Sequence, residues 1–152
     1  MTLFFSFVNP TFASDLQPTM EHEKLLMLID DDSCARYFFN YAVSEVSPKW
    51  KCIFAEDGIK GLDCLKEMDK LPEFIFLDIN MPKMDGWECL KKLKADQILK
   101  EIPVIMYSTS QREEDALKAL SLGAAYYLQK SMDISTLSSE IITSIRIAEK
   151  SI

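Results

Sequence analysis

The sequence predicts an α/β fold, a doubly wound five-stranded parallel sheet with five helices. Three observations predict it. Short apolar runs alternate with amphipathic helical patterns five times between Lys24 and Ile147, and repeated β-then-α units call for a parallel sheet with helices on both faces. The middle run, Phe74-Ile75-Phe76-Leu77, is apolar without alternation, as in a strand buried on both faces. The first polar residues after the runs are acids, a hydroxyl and a lysine, which a parallel sheet collects along one edge.

The elements follow in order. Leu25–Ile29 reads as the first strand, and Ala35, Phe38, Phe39, Ala42, Val43 and Val46 give the helix after it, over about residues 33–45, with Ser33 as its N-cap. Lys51–Phe54 is the second strand; Ile59, Leu62, Leu65 and Met68 mark the second helix, which stops before Pro72. Phe74–Leu77 is followed by Asp78 and by a loop that Pro82 and Gly86 shape. Asp85-Gly86 opens a third helix with Trp87, Leu90, Leu93 and Ile98 on its stripe. Val104–Tyr107 is the fourth strand, residues 113–122 the fourth helix, and Gly123 sits where a C-cap glycine belongs. Ala125–Leu128 is the fifth strand. Ile134, Leu137, Ile141 and Ile145 stripe the last helix, capped by Asp133 or Ser131. The natural closure is the flavodoxin-like strand order 2-1-3-4-5.

A chain of 152 residues supports one domain with a substantial core. A net charge of −7 argues against nucleic acid or an anionic membrane as the main partner. The four cysteines, Cys34, Cys52, Cys64 and Cys89, form no Cys-x-x-Cys pair and are expected to be free thiols in a reducing cytoplasm. One histidine, His22, stands outside the patterned region; it removes Ser-His-Asp and Cys-His catalysis and makes a zinc site improbable. Residues 1–19 are apolar and aromatic, lack the positive flank of an export signal and are interrupted by Pro10. They are expected to be a disordered or over-long extension, with Met20 as the biological start and residues 20–152 as the folded domain. With three residues after the last helix, no fused output domain is expected.

The strand ends carry the chemistry. They present Asp30-Asp31-Asp32 after strand one, Asp78 after strand three, Ser108-Thr109 after strand four and Lys130 after strand five. Carboxylates crowded together raise one another's pKa unless a cation neutralises them. An all-oxygen acidic set suits Mg²⁺, which takes one or two protein carboxylates and keeps several waters. Metal, ammonium, hydroxyl and an attacking carboxylate together make a site for a phosphoryl group.

At these residues the chain resembles the receiver domain of two-component response regulators, in particular stand-alone, chemotaxis-regulator-like members. The resemblance covers about Lys24 to Ile147 and rests on Leu28-Ile29-Asp30-Asp31-Asp32, Leu77-Asp78-Ile79-Asn80-Met81-Pro82-Lys83-Met84-Asp85-Gly86, Pro103-Val104-Ile105-Met106-Tyr107-Ser108 and Tyr127-Leu128-Gln129-Lys130. It implies that Asp78 is the phosphoacceptor, that Asp31 and Asp78 bind Mg²⁺ directly, that Asp30 helps through water and that the Asn80 backbone carbonyl completes the protein ligands. It implies that Ser108 turns toward the phosphoryl group, that Lys130 contacts it and that Tyr127 is an aromatic switch. The implied partners are a histidine kinase or histidine phosphotransfer protein and a downstream protein target. No nucleic acid or membrane partner is implied, and a cytoplasmic location is expected.

The chain departs from the family pattern where Ser131 follows Lys130 in place of proline. Either a trans Lys130–Ser131 bond with a shifted loop or a strained cis bond is expected, a cis non-proline bond costing ~2.5–4 kcal/mol. Tyr107 is bulky for a strand end and has no explanation from sequence. Two rivals to a phosphoacceptor switch are an aspartyl phosphatase and a receiver-like module that binds protein without phosphorylation. The phosphatase needs a general acid two residues after its nucleophile, where this chain has Asn80.

Overall fold

A computed structural model describes residues 22–131 and 133–151. The expected extension over residues 1–19 and the start at Met20 lie outside the described residues. Five strands, β1 (Leu25–Ile29), β2 (Lys51–Ala55), β3 (Phe74–Leu77), β4 (Val104–Ser108) and β5 (Tyr126–Gln129), alternate with α1 (Ser33–Val46), α2 (Gly58–Glu67), α3 (Gly86–Ala95), α4 (Glu113–Ser121) and α5 (Ile134–Lys150). All strand pairs are parallel and the order is β2-β1-β3-β4-β5, as the sequence predicts.

The sheet separates two apolar layers. On one face Met27, Ile29, Ile75, Leu77, Val104 and Met106 pack with Leu62 and Leu65 of α2, Leu90 and Leu93 of α3 and Ala119 of α4. On the other, Leu26, Leu28, Phe74, Phe76, Ile105, Tyr107 and Leu128 pack with Phe39 and Val43 of α1 and Leu137, Ile141 and Ile145 of α5. Successive strand residues point to opposite faces, so these two sets fix the parity of everything that emerges from the strand ends.

Several expectations need correction. Asp32, not Ser33, caps α1: its backbone is extended, and Oδ1 accepts from the Cys34 amide at 2.8 Å and the Ala35 amide at 3.4 Å. Both residue types cap well, and only the point where the chain turns helical decides between them. Asp32→Ala is expected to cost about 1 kcal/mol in urea unfolding, and Ser33→Ala close to nothing. Ile98 falls beyond the Asp96 cap of α3, in the approach to a short 3₁₀ turn (Leu99–Glu101), and is exposed. Ile59 and Ile134 stand in first turns that face solvent. Asp133 caps α5, Gly123 has φ +96° after α4, and no peptide bond among the described residues is cis, Lys130–Ser131 included.

Candidate functional site

Backbone pairing runs one residue past the strands and so fixes the two central acids. The Asp30 amide donates to the Ala55 carbonyl at 3.0 Å, and the Asp78 amide to the Ile29 carbonyl at 2.9 Å. The register sets Ile29 beside Leu77 and Leu77 beside Met106. Asp30 and Asp78 therefore stand side by side, in line with Leu28 and Phe76 on the α1/α5 face. Both are buried, whereas Asp31 is exposed. One carboxylate oxygen from each of Asp30, Asp31 and Asp78 falls within a 4.8 Å cluster.

Lys130 closes the cluster from β5. Its Nζ lies 2.6 Å from Asp30 Oδ2 and 3.3 Å from Asp78 Oδ1. Burial pulls the Lys130 ammonium down, but Asp30 and then Asp78 outweigh it and leave its pKa raised. Asp78 behaves differently: burial pushes its carboxyl up to about 6, with Lys130 pulling it down and Asp30 pushing it further up. The two partners of the longer bridge are thus unequal, because Lys130 spends its shorter bond on Asp30. The site keeps a charged ammonium beside a carboxyl that titrates only about a unit below neutrality.

Ser108 is fully buried, and its Oγ accepts from the Ser110 amide at 3.2 Å, which leaves the hydroxyl proton free to donate. Tyr127 is half-buried, and its hydroxyl donates to the Ser110 carbonyl at 2.9 Å. The two residues are therefore coupled through one peptide segment. Asn80 is exposed in the loop after Asp78. That loop is tied by the Gly86 amide to the Ile79 carbonyl at 2.7 Å and by the Met84 amide to the Pro82 carbonyl at 2.8 Å. The second bond spans Lys83 at φ +67°, a tight three-residue turn of the strained kind.

The sequence left three supports unassigned. Arg36, on the first turns of α1, donates from Nη1 to the Asp30 carbonyl at 2.7 Å; its place above a strand end was the available signal. Lys83 reaches buried Asp57, the α2 cap, at 3.6 Å, joining the Asp78 loop to the neighbouring β2–α2 turn. Tyr107 lies buried beneath the cluster, with Lys130 Nζ 5.1 Å from its ring centroid.

Three acids with adjacent oxygens, two of them buried, beside a single ammonium are a donor set that fits a hard divalent cation. A family model described as the response regulator receiver domain matches residues 26–142. The chain belongs to that family. Receiver domains bind a divalent metal and are phosphorylated by histidine kinases, and the Asp30, Asp31 and Asp78 cluster is of a kind that could hold such an ion. The chain is similar to a protein-glutamate methylesterase/protein-glutamine glutaminase of Rhodospirillum rubrum, 34% identical over 132 residues, which are 82% of this chain and 34% of that protein. It is also similar to the response regulator Rcp1 of Synechocystis sp., 29% identical over 75% of this chain and 81% of Rcp1. A Mn²⁺-bound structure of Rcp1 superposes with a TM-score of 0.71 at 27% identity, covering 82% of this chain and 94% of that one. The phosphorylated cyanobacterial phytochrome response regulator RcpA superposes with a TM-score of 0.73 at 29% identity, covering 82% and 92%. The chain thus spans about a third of the methylesterase and most of Rcp1. Among the described residues no helix is long and apolar enough to cross a membrane.

Proposed function

We propose that this receiver domain is a cytoplasmic phosphoacceptor switch in which Asp78 takes a phosphoryl group from a phosphohistidine of a histidine kinase or histidine phosphotransfer protein. The observation that carries this is the Asp78 carboxyl, fixed at the end of β3 within 3.3 Å of the Lys130 ammonium and clustered with Asp30 and Asp31. The capture of RcpA in a phosphorylated form and of Rcp1 with Mn²⁺ supports the same chemistry here. Mg²⁺ is the cation this oxygen-only set favours, held by Asp31 and Asp78, by Asp30 through water and by the Asn80 carbonyl. When bound, it lowers the Asp78 pKa and offsets negative charge on the phosphoryl oxygens.

In the transfer, a carboxylate oxygen of Asp78 forms a bond to phosphorus as the phosphorus–nitrogen bond of the phosphohistidine breaks. Lys130 already stands beside that oxygen, so it meets the phosphoryl oxygens with little movement, and positioning with electrostatics supplies the rate. Ser108 donates its free hydroxyl proton to a phosphoryl oxygen. That movement shifts the Ser110 segment to which Tyr127 is hydrogen-bonded, and the change reaches the face formed by α4, β5 and α5, where a downstream protein binds. The phosphoryl group shifts the population only through contacts that differ between the two states. The domain is a switch and not a phosphatase, because Asn80 supplies no general acid. Water hydrolyses the aspartyl phosphate and resets it.

The test is incubation with acetyl phosphate and Mg²⁺, read by intact mass. A single phosphoryl adduct is expected in the wild type and none in Asp78→Ala or with EDTA. An adduct that persists in Asp78→Ala would move the acceptor elsewhere. A wild type that takes no adduct would leave a protein-binding module without phosphorylation.

A further inference from the structure

We infer that Tyr107 is a positioning residue for Lys130, an aromatic platform that holds the ammonium over the end of the sheet. The inference deepens the proposed phosphoacceptor role and rests on it. Strand alternation brings the pair together. Tyr107 shares the α1/α5 face with Phe76 and Leu128, and Asp30, Asp78 and Lys130 each stand two residues beyond a member of that face. Register sets Tyr107 beside Leu128, so Lys130 emerges next to the ring. Its Nζ lies 5.1 Å from the ring centroid, with only 14% of the lysine side chain exposed.

The ring itself cannot swing away. Phe39 and Phe76 meet edge to face at 4.8 Å, and Tyr107 packs against them at 5.9 Å and 6.4 Å, its plane perpendicular to Phe76. Burial, then Asp30, push the phenol pKa above its ordinary value, so the ring stays neutral. A cation within ~6 Å of an aromatic face is attracted by the ring quadrupole, more strongly where water is excluded. Such a platform suits this site because it adds no further negative charge to three clustered acids. It also persists when Lys130 exchanges carboxylate partners for phosphoryl oxygens. A leucine is smaller and offers no such face, so the Lys130→Met background is what separates lost positioning from lost packing.

The experiment compares Tyr107→Leu and Tyr107→Phe, each with Lys130 intact and with Lys130→Met. Proton NMR reads the Lys130 ε-methylene resonances, and acetyl phosphate with Mg²⁺ gives the rate of adduct formation. Ring-current-shifted ε-protons are expected in the wild type and Tyr107→Phe, and ordinary lysine shifts in Tyr107→Leu. Tyr107→Leu should slow adduct formation about fivefold, as befits one partly buried cation–π contact, Tyr107→Phe should match the wild type, and Tyr107→Leu should add no loss once Lys130 is methionine. Unchanged ε-proton shifts in Tyr107→Leu, or an equal slowing in the Lys130→Met background, would overturn the inference. A wild type that takes no adduct would overturn the phosphoacceptor role, and the NMR comparison would still decide the role of Tyr107.

Discussion

Asp78→Asn is expected to raise the thermal midpoint of the metal-free protein at pH 7. Burial pushes the Asp78 carboxyl up to about 6, whereas in an unfolded chain an aspartate titrates near ~3.9. A group raised on folding contributes stability that is full below its unfolded pKa and lost as pH climbs through its folded pKa. For Asp78 that loss runs from about pH 4 to about pH 6. By pH 7 it amounts to on the order of 2–3 kcal/mol, at ~1.36 kcal/mol per unit. Asparagine keeps the shape and removes the charge, so a gain of about 2 kcal/mol is expected at pH 7 and almost none at pH 4. Lys130 keeps its 2.6 Å bond to Asp30 in the variant, so no buried ammonium is orphaned. Mg²⁺ should reverse the order, because a ligand that binds only the folded state stabilises it by RT ln(1 + [L]/Kd), ~2.7 kcal/mol at one hundred times Kd, and the variant offers the cation a neutral amide oxygen in place of a carboxylate. Calorimetry from pH 4 to 8, with EDTA and then with Mg²⁺, checks both halves. A wild type more stable than Asp78→Asn at pH 7 in EDTA would mean that Lys130 more than compensates the burial of Asp78.

Much of this architecture is legible in the sequence because it depends on patterns of two periods. The unbroken apolar run Phe74–Leu77 needs cover on both faces, and the helices on either side of it supply that cover. The edge that gathers Asp30, Asp78, Ser108 and Lys130 follows from parallel topology alone. What escaped depends on events that periodicity does not record. Ile98 continues the α3 stripe on paper, yet the helix has already ended at Asp96, so an apolar residue at the right spacing faces solvent. Asp32 and Ser33 are both good caps, and the backbone turns helical one residue earlier than a Ser33 cap would need. Tyr107 was readable after all, but only by counting parity across strands: two steps from Ile105 on β4, and level with Leu128, two steps before Lys130. The Asp57–Lys83 bridge joins segments that sequence spacing does not relate, and Arg36 reaches back across the β1–α1 turn to a carbonyl that no side-chain pattern marks.

Gly86→Ala is expected to damage both the fold and the site, because the glycine is there for a close approach. A Cβ at position 86 would lie 2.2 Å from the Asp78 carbonyl oxygen, 2.9 Å from the Asp78 carbonyl carbon and 2.7 Å from the Ile79 Cα. All three are backbone atoms, so no side-chain rotation relieves the clash. The segment cannot simply retreat either, since the Gly86 amide bonds the Ile79 carbonyl at 2.7 Å and Asp85 caps α3 through the Glu88 amide at 2.8 Å. Overpacking of this kind costs about 3 kcal/mol, and here two of the three displaced atoms belong to Asp78, the proposed phosphoacceptor. A shift of about 1 Å at a reacting group is enough for a loss on the order of a hundredfold in rate, so adduct formation from acetyl phosphate should fall at least tenfold at temperatures where the variant is still folded. Gly123→Ala is the control. Its strain comes from φ +96° at an exposed turn after α4, with the Lys94 side chain 3.3 Å from the added carbon, so it should cost about 1 kcal/mol and leave the adduct rate alone. Urea unfolding and intact-mass kinetics on the two variants separate the effects. A Gly86→Ala protein that is folded and phosphorylated at the wild-type rate would show that the loop gives way without moving Asp78, and that β3 alone positions the carboxylate.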